Sequence, residues 1–194
     1  MRRSTPPVAS IRSHTWFNDQ ALIEQAWQLP VARLYAPLQS QTFTSICGPT
    51  SVSNVLRTMG VKAAANPFSR FGVRAMSLDQ VALESRDLVS RGWSVTAQRP
   101  KTVAQLREHL RQSNDPRFRY VSNFSRLPLF THGGGHHSPL GGYLEEHDLA
   151  FILDVNAGYG PWLVKAERLF EAMDTDDWGV GLTRGLAMYE RVGS

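Results

Sequence analysis

Cys47 is the one cysteine among 194 residues, and three histidines (His132, His136 and His137) fall in one glycine-rich stretch. A thiolate is a strong nucleophile, and it needs a base that takes its proton and later returns it to a leaving group. Histidine is the usual base, oriented by a third polar group. Asp154 closes the apolar run Leu149-Ala150-Phe151-Ile152-Leu153, where an acid is costly unless paired. The oxyanion of an acyl transfer also needs donors. The Cys47 backbone N–H is one, and the side-chain amide of Gln41, six residues upstream, is another. The residues alone leave the choice of histidine open. They also leave two plainer readings: a lone cysteine serving as a small buried hydrophobe, and three histidines joined by an Asp or Glu in a metal site.

The elements around these residues sharpen the choice. Pro49 suits the first turn of a helix because it has no N–H to lose. Val52, Val55, Leu56 and Met59 recur at helical spacing, and Gly60 suits a C-terminal stop. A helix over 47–60 puts Cys47 at its start, where free N–H groups and the positive dipole end favour a thiolate. A short helix is expected within 16–29 and irregular chain over 30–45. Ser77 and Gln80 have capping-box spacing, giving a helix that ends at Gly92. A strand over 93–97, a helix capped by Thr102, a strand over 118–124, a strand over 149–155, a helix over 164–173 and a closing strand over 185–192 follow. A turn over 143–147 between two adjacent strands would carry Asp154 back to one of the histidines. Helices first and strands later indicate an α+β fold rather than alternating βαβ units.

Bulk properties narrow the class. A hydrophobic content of 42% supports a core, and no apolar run approaches the ~20 residues of a membrane span. The basic start, Met1-Arg2-Arg3-Ser4, precedes no apolar stretch, so no secretory leader is expected and the cytoplasm is the expected compartment. A single cysteine excludes an internal disulfide. A charge of +4 and a pI near 9.6 are mildly basic, without the dense stripe of a nucleic-acid binder. The run Gly133-Gly134-Gly135 lacks the Lys and Ser/Thr of a phosphate loop. Residues 1–15 carry little hydrophobic pattern and are expected to form a flexible arm ahead of one catalytic domain over 16–194.

Five separated blocks resemble the catalytic domain of phytochelatin synthases, in order and nearly in spacing from about Gln41 to the C-terminus: Gln41 with Cys47-Gly48; Gly135-His136-His137-Ser138-Pro139-Leu140-Gly141-Gly142-Tyr143; Ile152-Leu153-Asp154-Val155; Glu171-Ala172-Met173-Asp174; and Arg184-Gly185. The resemblance implies a papain-like cysteine peptidase fold, a helical half plus an antiparallel sheet half with the active cleft between. It implies attack on glutathione, release of glycine, and transfer of γ-glutamylcysteine to a thiol peptide or water. It makes Cys47 the nucleophile, His136 the base, Asp154 the orienting acid and Gln41 the oxyanion donor. It matches Arg184 to an arginine that holds the donor's free carboxylate and sets Asp177 beside that region. Gly135 and His137 join them as substrate-lining candidates. Asp177 with Asp174 and Asp176 also suits a plain solvated helix end.

The chain departs from the family pattern at definite places. The family reads Asp-Val-x-Arg and then Tyr and Pro after the acid, where this chain reads Asp154-Val155-Asn156-Ala157-Gly158-Tyr159-Gly160-Pro161, without the basic residue. Ile46 stands where an aromatic is common, and His137 replaces a usual Phe. A short bacterial-type form, without the Cys-rich second domain of the plant enzymes, is the expectation. No resident cofactor or protein-held metal is expected; a metal ion would act through a substrate thiolate. The expected partner is a small thiol peptide, with neither nucleic acid nor membrane; a homodimer is left open. Two other readings stand beside the first. In one, the same machinery acts on an acyl thioester held by an acidic acyl carrier protein, which the basic surface would favour. In the other, the chain is a non-catalytic binding or metal-sensing module.

Overall fold

The structure, a computed structural model, describes residues 9–193. Its strands are β1 (Trp93–Gln98), β2 (Phe118–Ser125), β3 (Gly135–Leu144), β4 (Leu149–Leu153), β5 (Pro161–Lys165) and β6 (Gly185–Arg191). They form one antiparallel sheet in the order β1-β6-β2-β3-β4-β5. The α-helices are α1 (Gln20–Trp27), α2 (Cys47–Thr58), α3 (Leu78–Ser85), α4 (Val103–Gln112), α5 (Leu127–Phe130) and α6 (Ala166–Met173).

Successive strand residues face opposite sides of a sheet, and here both sides are covered. Leu149, Phe151 and Leu153 of β4 pack with Ala26 of α1, Val52, Val55 and Leu56 of α2, and Leu78 and Val81 of α3. Ala150 and Ile152 point the other way, against Leu106 and Leu110 of α4, Phe130 of α5 and Leu169 of α6. Burial on both faces is why β4 reads as a continuous apolar run instead of an alternating one. Helices thus flank the sheet on both sides. α1 to α3 share one face, the face on which Cys47 opens α2.

Helix starts follow local chemistry. Ser77 and Gln80 form a reciprocal capping box at α3, and the Thr102 hydroxyl accepts from the Gln105 N–H at α4. Gly60, at φ 77° just past α2, takes a conformation that a side chain would oppose.

The structure differs from the sequence expectation in several places. Residues 1–8 of the expected arm lie outside the described residues. In the rest of it, Ile11 is fully buried, in a 3₁₀ turn, among the side chains of α4 to α6, while residues 12–15 are exposed. One anchoring side chain leaves no periodic pattern to read. Val164, expected in a helix, belongs to β5, and α6 starts at Ala166. A strand of five residues, four of them apolar, has no period that separates strand from helix. Residues 135–144, read as glycine-rich with a strand of unstated bounds ahead of the turn at 143–147, form the long central strand β3. Gly141 is required there, since a Cβ on it would lie 2.7 Å from the Phe151 ring.

Candidate active site

Cys47 opens α2, entered through a 3₁₀ turn at Thr44–Ile46, and no side chain caps the helix. The Ser51 hydroxyl donates to the carbonyl oxygens of both Cys47, at 2.7 Å, and His137, at 3.0 Å. One side chain therefore ties the first turn of α2 to β3. The hairpin from β3 to β4, through the turn Glu145–His147, returns the chain so that Asp154 stands beside His136. His136 Nε2 lies 2.9 Å from Asp154 Oδ1, and both side chains are buried. With Nε2 committed to the acid, Nδ1 is the nitrogen left for the thiol.

Asp154 is held by more than a histidine. Arg126 Nη2 donates to both carboxylate oxygens, at 2.9 and 2.8 Å, the Trp162 indole N–H donates to Oδ2 at 2.9 Å, and the Asn156 backbone N–H donates to Oδ1 at 2.9 Å. Burying a carboxylate costs several kcal/mol, and each hydrogen bond to a charged group returns about 1.5–3 kcal/mol. Four donor groups make the ionised acid stable there. Its pKa is lowered: burial pushes it up, and the hydrogen bond to His136 with the charges of His136 and Arg126 outweighs that push. Behind the acid, Trp162 packs edge-on against Phe124 and Phe130, and Arg126 lies 3.7 Å over the Tyr159 ring.

The same balance acts on the other two groups. Burial opposes charge on His136, but Asp154 and then Cys47 prevail and raise its pKa. Burial opposes a Cys47 thiolate, yet hydrogen bonds from His136 and His137 and their charges bring the thiol well below its ordinary value. The arrangement is suited to a thiolate–imidazolium pair at neutral pH.

Gln41 is fixed by its backbone N–H, which donates to the Val155 carbonyl at 2.7 Å. Its amide makes no hydrogen bond among the described residues, and its Oε1 is buried. Arg184 and Asp177 meet on the other flank. Arg184 Nη1 donates to Asn123 Oδ1 at 2.9 Å and to Asp177 Oδ1 at 3.3 Å, and its Nε is buried without a partner among the described residues. Asp177 is fully buried and also accepts from the Leu78 N–H at the start of α3, at 2.7 Å, so it is not a solvated helix end. Gly135 lies under Arg184; a Cβ there would sit 2.3 Å from Nη1. His137 faces α2, with Nδ1 3.9 Å from Cys47 Sγ. His132 is exposed on the turn after α5 and takes no part. Among the described residues no group of three His, Cys, Asp or Glu side chains is placed to hold a metal ion.

Sequence reasoning missed Arg126, Trp162 and Asn123. Arg126 reaches Asp154 from the far end of β2, and no spacing signals such a contact. The one available hint was Asp154 itself, a buried acid with too few partners in its own neighbourhood.

A cysteine at the start of a helix packed on an antiparallel sheet that carries a His–Asp pair is the papain-like architecture. The peptidase domain of Streptococcus ComA shares the fold, with a TM-score of 0.53 at 14% identity over 80% of this chain and 97% of that domain. The model of the phytochelatin synthase family matches residues 7–186, and the chain belongs to that family. Similar relatives are glutathione gamma-glutamylcysteinyltransferase 1 of Triticum aestivum, 28% identical over 81% of this chain and 35% of the relative, and glutathione gamma-glutamylcysteinyltransferase 2 of Arabidopsis thaliana, 27% identical over 98% of this chain and 46% of the relative. The chain thus spans between about a third and a half of the length of these relatives. Among the described residues no helix is long and apolar enough to cross a membrane.

Proposed function

We propose that this protein is a cysteine acyltransferase that cleaves glutathione, releases glycine and passes γ-glutamylcysteine to a thiol peptide or to water. The observation that carries the reading is the Cys47–His136–Asp154 set in a chain whose relatives bear the name glutathione gamma-glutamylcysteinyltransferase. Cys47 sulfur bonds to the carbonyl carbon of the Cys–Gly peptide, while Gln41 and the Cys47 N–H stabilise the oxyanion. The C–N bond breaks as His136 gives its proton to the glycine amine, leaving a thioester. His136 then takes a proton from the acceptor amine or water, which attacks the thioester, and the C–S bond breaks with its electron pair on sulfur. Asp154 holds His136 in the required tautomer.

Arg184, charged and with an Nε that has no partner among the described residues, serves as the clamp on the donor's free carboxylate. Asp177 anchors it and Gly135 leaves it room. A metal ion enters as a thiolate complex of the substrate and not as a resident cofactor. The test is intact-protein mass spectrometry after incubation with glutathione, with a Cys47→Ala control and an assay of free glycine. A γ-glutamylcysteinyl adduct confined to the Cys47 protein, with glycine release, is the expected result. No adduct and no glycine from a protein whose Cys47 still alkylates would overturn the choice of donor.

A further inference from the structure

Two imidazoles flank Cys47, and the chemistry above uses one of them. His136 and His137 are consecutive on β3, so their side chains leave opposite faces of the strand. His136 turns to Asp154. His137 turns to α2, where its Nδ1 lies 3.9 Å from the sulfur. Its ring is 2% exposed and packs against Gly48, and its Nε2 is buried with no partner among the described residues. The thiol is therefore the polar partner this ring has. A site that needed only packing would be served at less cost by an apolar side chain, because an unpaired buried polar atom is unfavourable. The Ser51 hydroxyl, bonded to the carbonyls of both Cys47 and His137, holds sulfur and ring on backbones that move together.

We propose that His137 is a positioning residue for the nucleophile, donating a hydrogen bond from Nδ1 to the Cys47 thiolate in the free enzyme and to the departing thiolate when the thioester breaks. The proton account assigns the two rings different work. The thiol proton goes to His136, and His136 later delivers it to the leaving amine. His137 keeps its own proton throughout and only donates a hydrogen bond. Thiolate stability is thereby separated from proton transfer. The other charged groups that bear on this sulfur are His136 of β3, with Asp154 behind it at the end of β4, and Arg184 ahead of β6, itself faced by Asp177 and Asp176. α3 meets this end of α2 through the apolar Val81. The inference rests on Cys47 being the nucleophile, but not on which donor it attacks.

The experiment is the rate of alkylation of Cys47 by iodoacetamide against pH, with ultraviolet thiolate absorbance. It compares the wild type with His137→Phe, His137→Asn, His136→Gln and the double variant His136→Gln/His137→Phe. Near-ultraviolet circular dichroism checks that each variant is folded. In His137→Phe the midpoint moves up toward that of an ordinary thiol, and alkylation below the midpoint slows by about tenfold for every pH unit that the midpoint rises. In His137→Asn an amide N–H can stand where Nδ1 was, and most of the reactivity returns. In His136→Gln the midpoint stays below the ordinary range while glycine release is lost. A His137→Phe profile that superimposes on the wild type overturns the proposal. So does a folded His137→Asn protein as impaired as His137→Phe, or a His136→Gln midpoint as high as that of the double variant. Failure of glycine release in the wild type would remove the glutathione reading and leave these alkylation outcomes to be judged by themselves.

Discussion

Arg126 Nη2 donates to both carboxylate oxygens of Asp154, at 2.9 and 2.8 Å, with both side chains buried. The pair stands directly behind the His136 imidazole, so in the proposed reaction it bears on both stability and chemistry. Removing one member of a buried pair strands the other charge, at about 3–5 kcal/mol. Three donors to Asp154 remain in Arg126→Met, which puts the expected loss near the lower end, about 3 kcal/mol by denaturant titration. The pH dependence has a definite sign. The Asp154 carboxyl titrates below its ordinary value in the folded protein, so its contribution is present above the unfolded pKa and is lost as pH falls through the folded one. Arg126→Met weakens that depression, and its acid unfolding should begin at a higher pH than that of the wild type. Equal acid midpoints for the two proteins would show that Arg126 does not stabilise the ionised acid.

His136 and Cys47 are shifted in opposite directions, His136 up and Cys47 down. The ion pair is populated between the two apparent values of the coupled pair. Acyl-enzyme formation should therefore rise along an acid limb well below ordinary thiol titration and fall along an alkaline limb above ordinary histidine titration. Asp154→Asn removes the charge that raises His136. Its alkaline limb should move to lower pH, and the rate at the optimum should drop by about 10²–10⁴-fold, as expected for loss of the orienting acid. Single-turnover glycine release across pH measures both effects. An alkaline limb left in place would mean that it reports another group.

Gln41 is placed by its backbone bond to Val155, one residue past the acid, while its amide remains without a partner among the described residues. An oxyanion donor acts on the transition state and hardly on bound substrate. Gln41→Ala should lower kcat by about 10²–10³-fold, with KM and thermal stability little changed. A variant that instead raises KM with kcat intact would make Gln41 a substrate-binding residue.

The helix ends were more legible than the sheet. The helix from Cys47 could be read because Pro49, the Val52-Val55-Leu56 spacing and Gly60 are all local signals. The Ser77 and Thr102 caps were legible for the same reason. β3 was legible only as a strand of unstated bounds ahead of the turn at 143–147: Gly135, Pro139, Gly141 and Gly142 are poor strand formers, and the glycines at 141 and 142 are tolerated because Phe151, Leu153 and Leu29 pack where side chains would otherwise stand. β5 was lost to its brevity. Arg126 and Trp162 act on Asp154 from 28 residues upstream and 8 downstream, through strand pairings that no short-range pattern encodes. The place of His137 beside the sulfur depends in turn on the β3 register against α2, which appears only after the sheet is assembled.

Gly135 and Arg184 supply a test of the proposed donor clamp that does not touch Cys47. A Cβ at position 135 would lie 2.3–2.7 Å from three atoms of the Arg184 guanidinium. The contact is with the end of a flexible side chain, so Gly135→Ala should be absorbed by moving Arg184 and not by unfolding. Displaced, Arg184 loses its bonds to Asn123 and Asp177. The expected outcome is a raised KM for the donor, about tenfold or more for a lost charged hydrogen bond, with iodoacetamide reactivity of Cys47 maintained. Arg184→Ala should give a similar loss. If Gly135 acts only through Arg184, the double variant should be no worse than Arg184→Ala alone, a coupling that a double-mutant cycle reads directly. Losses that add fully would show that Gly135 matters for some other reason, such as the course of β3 into His136.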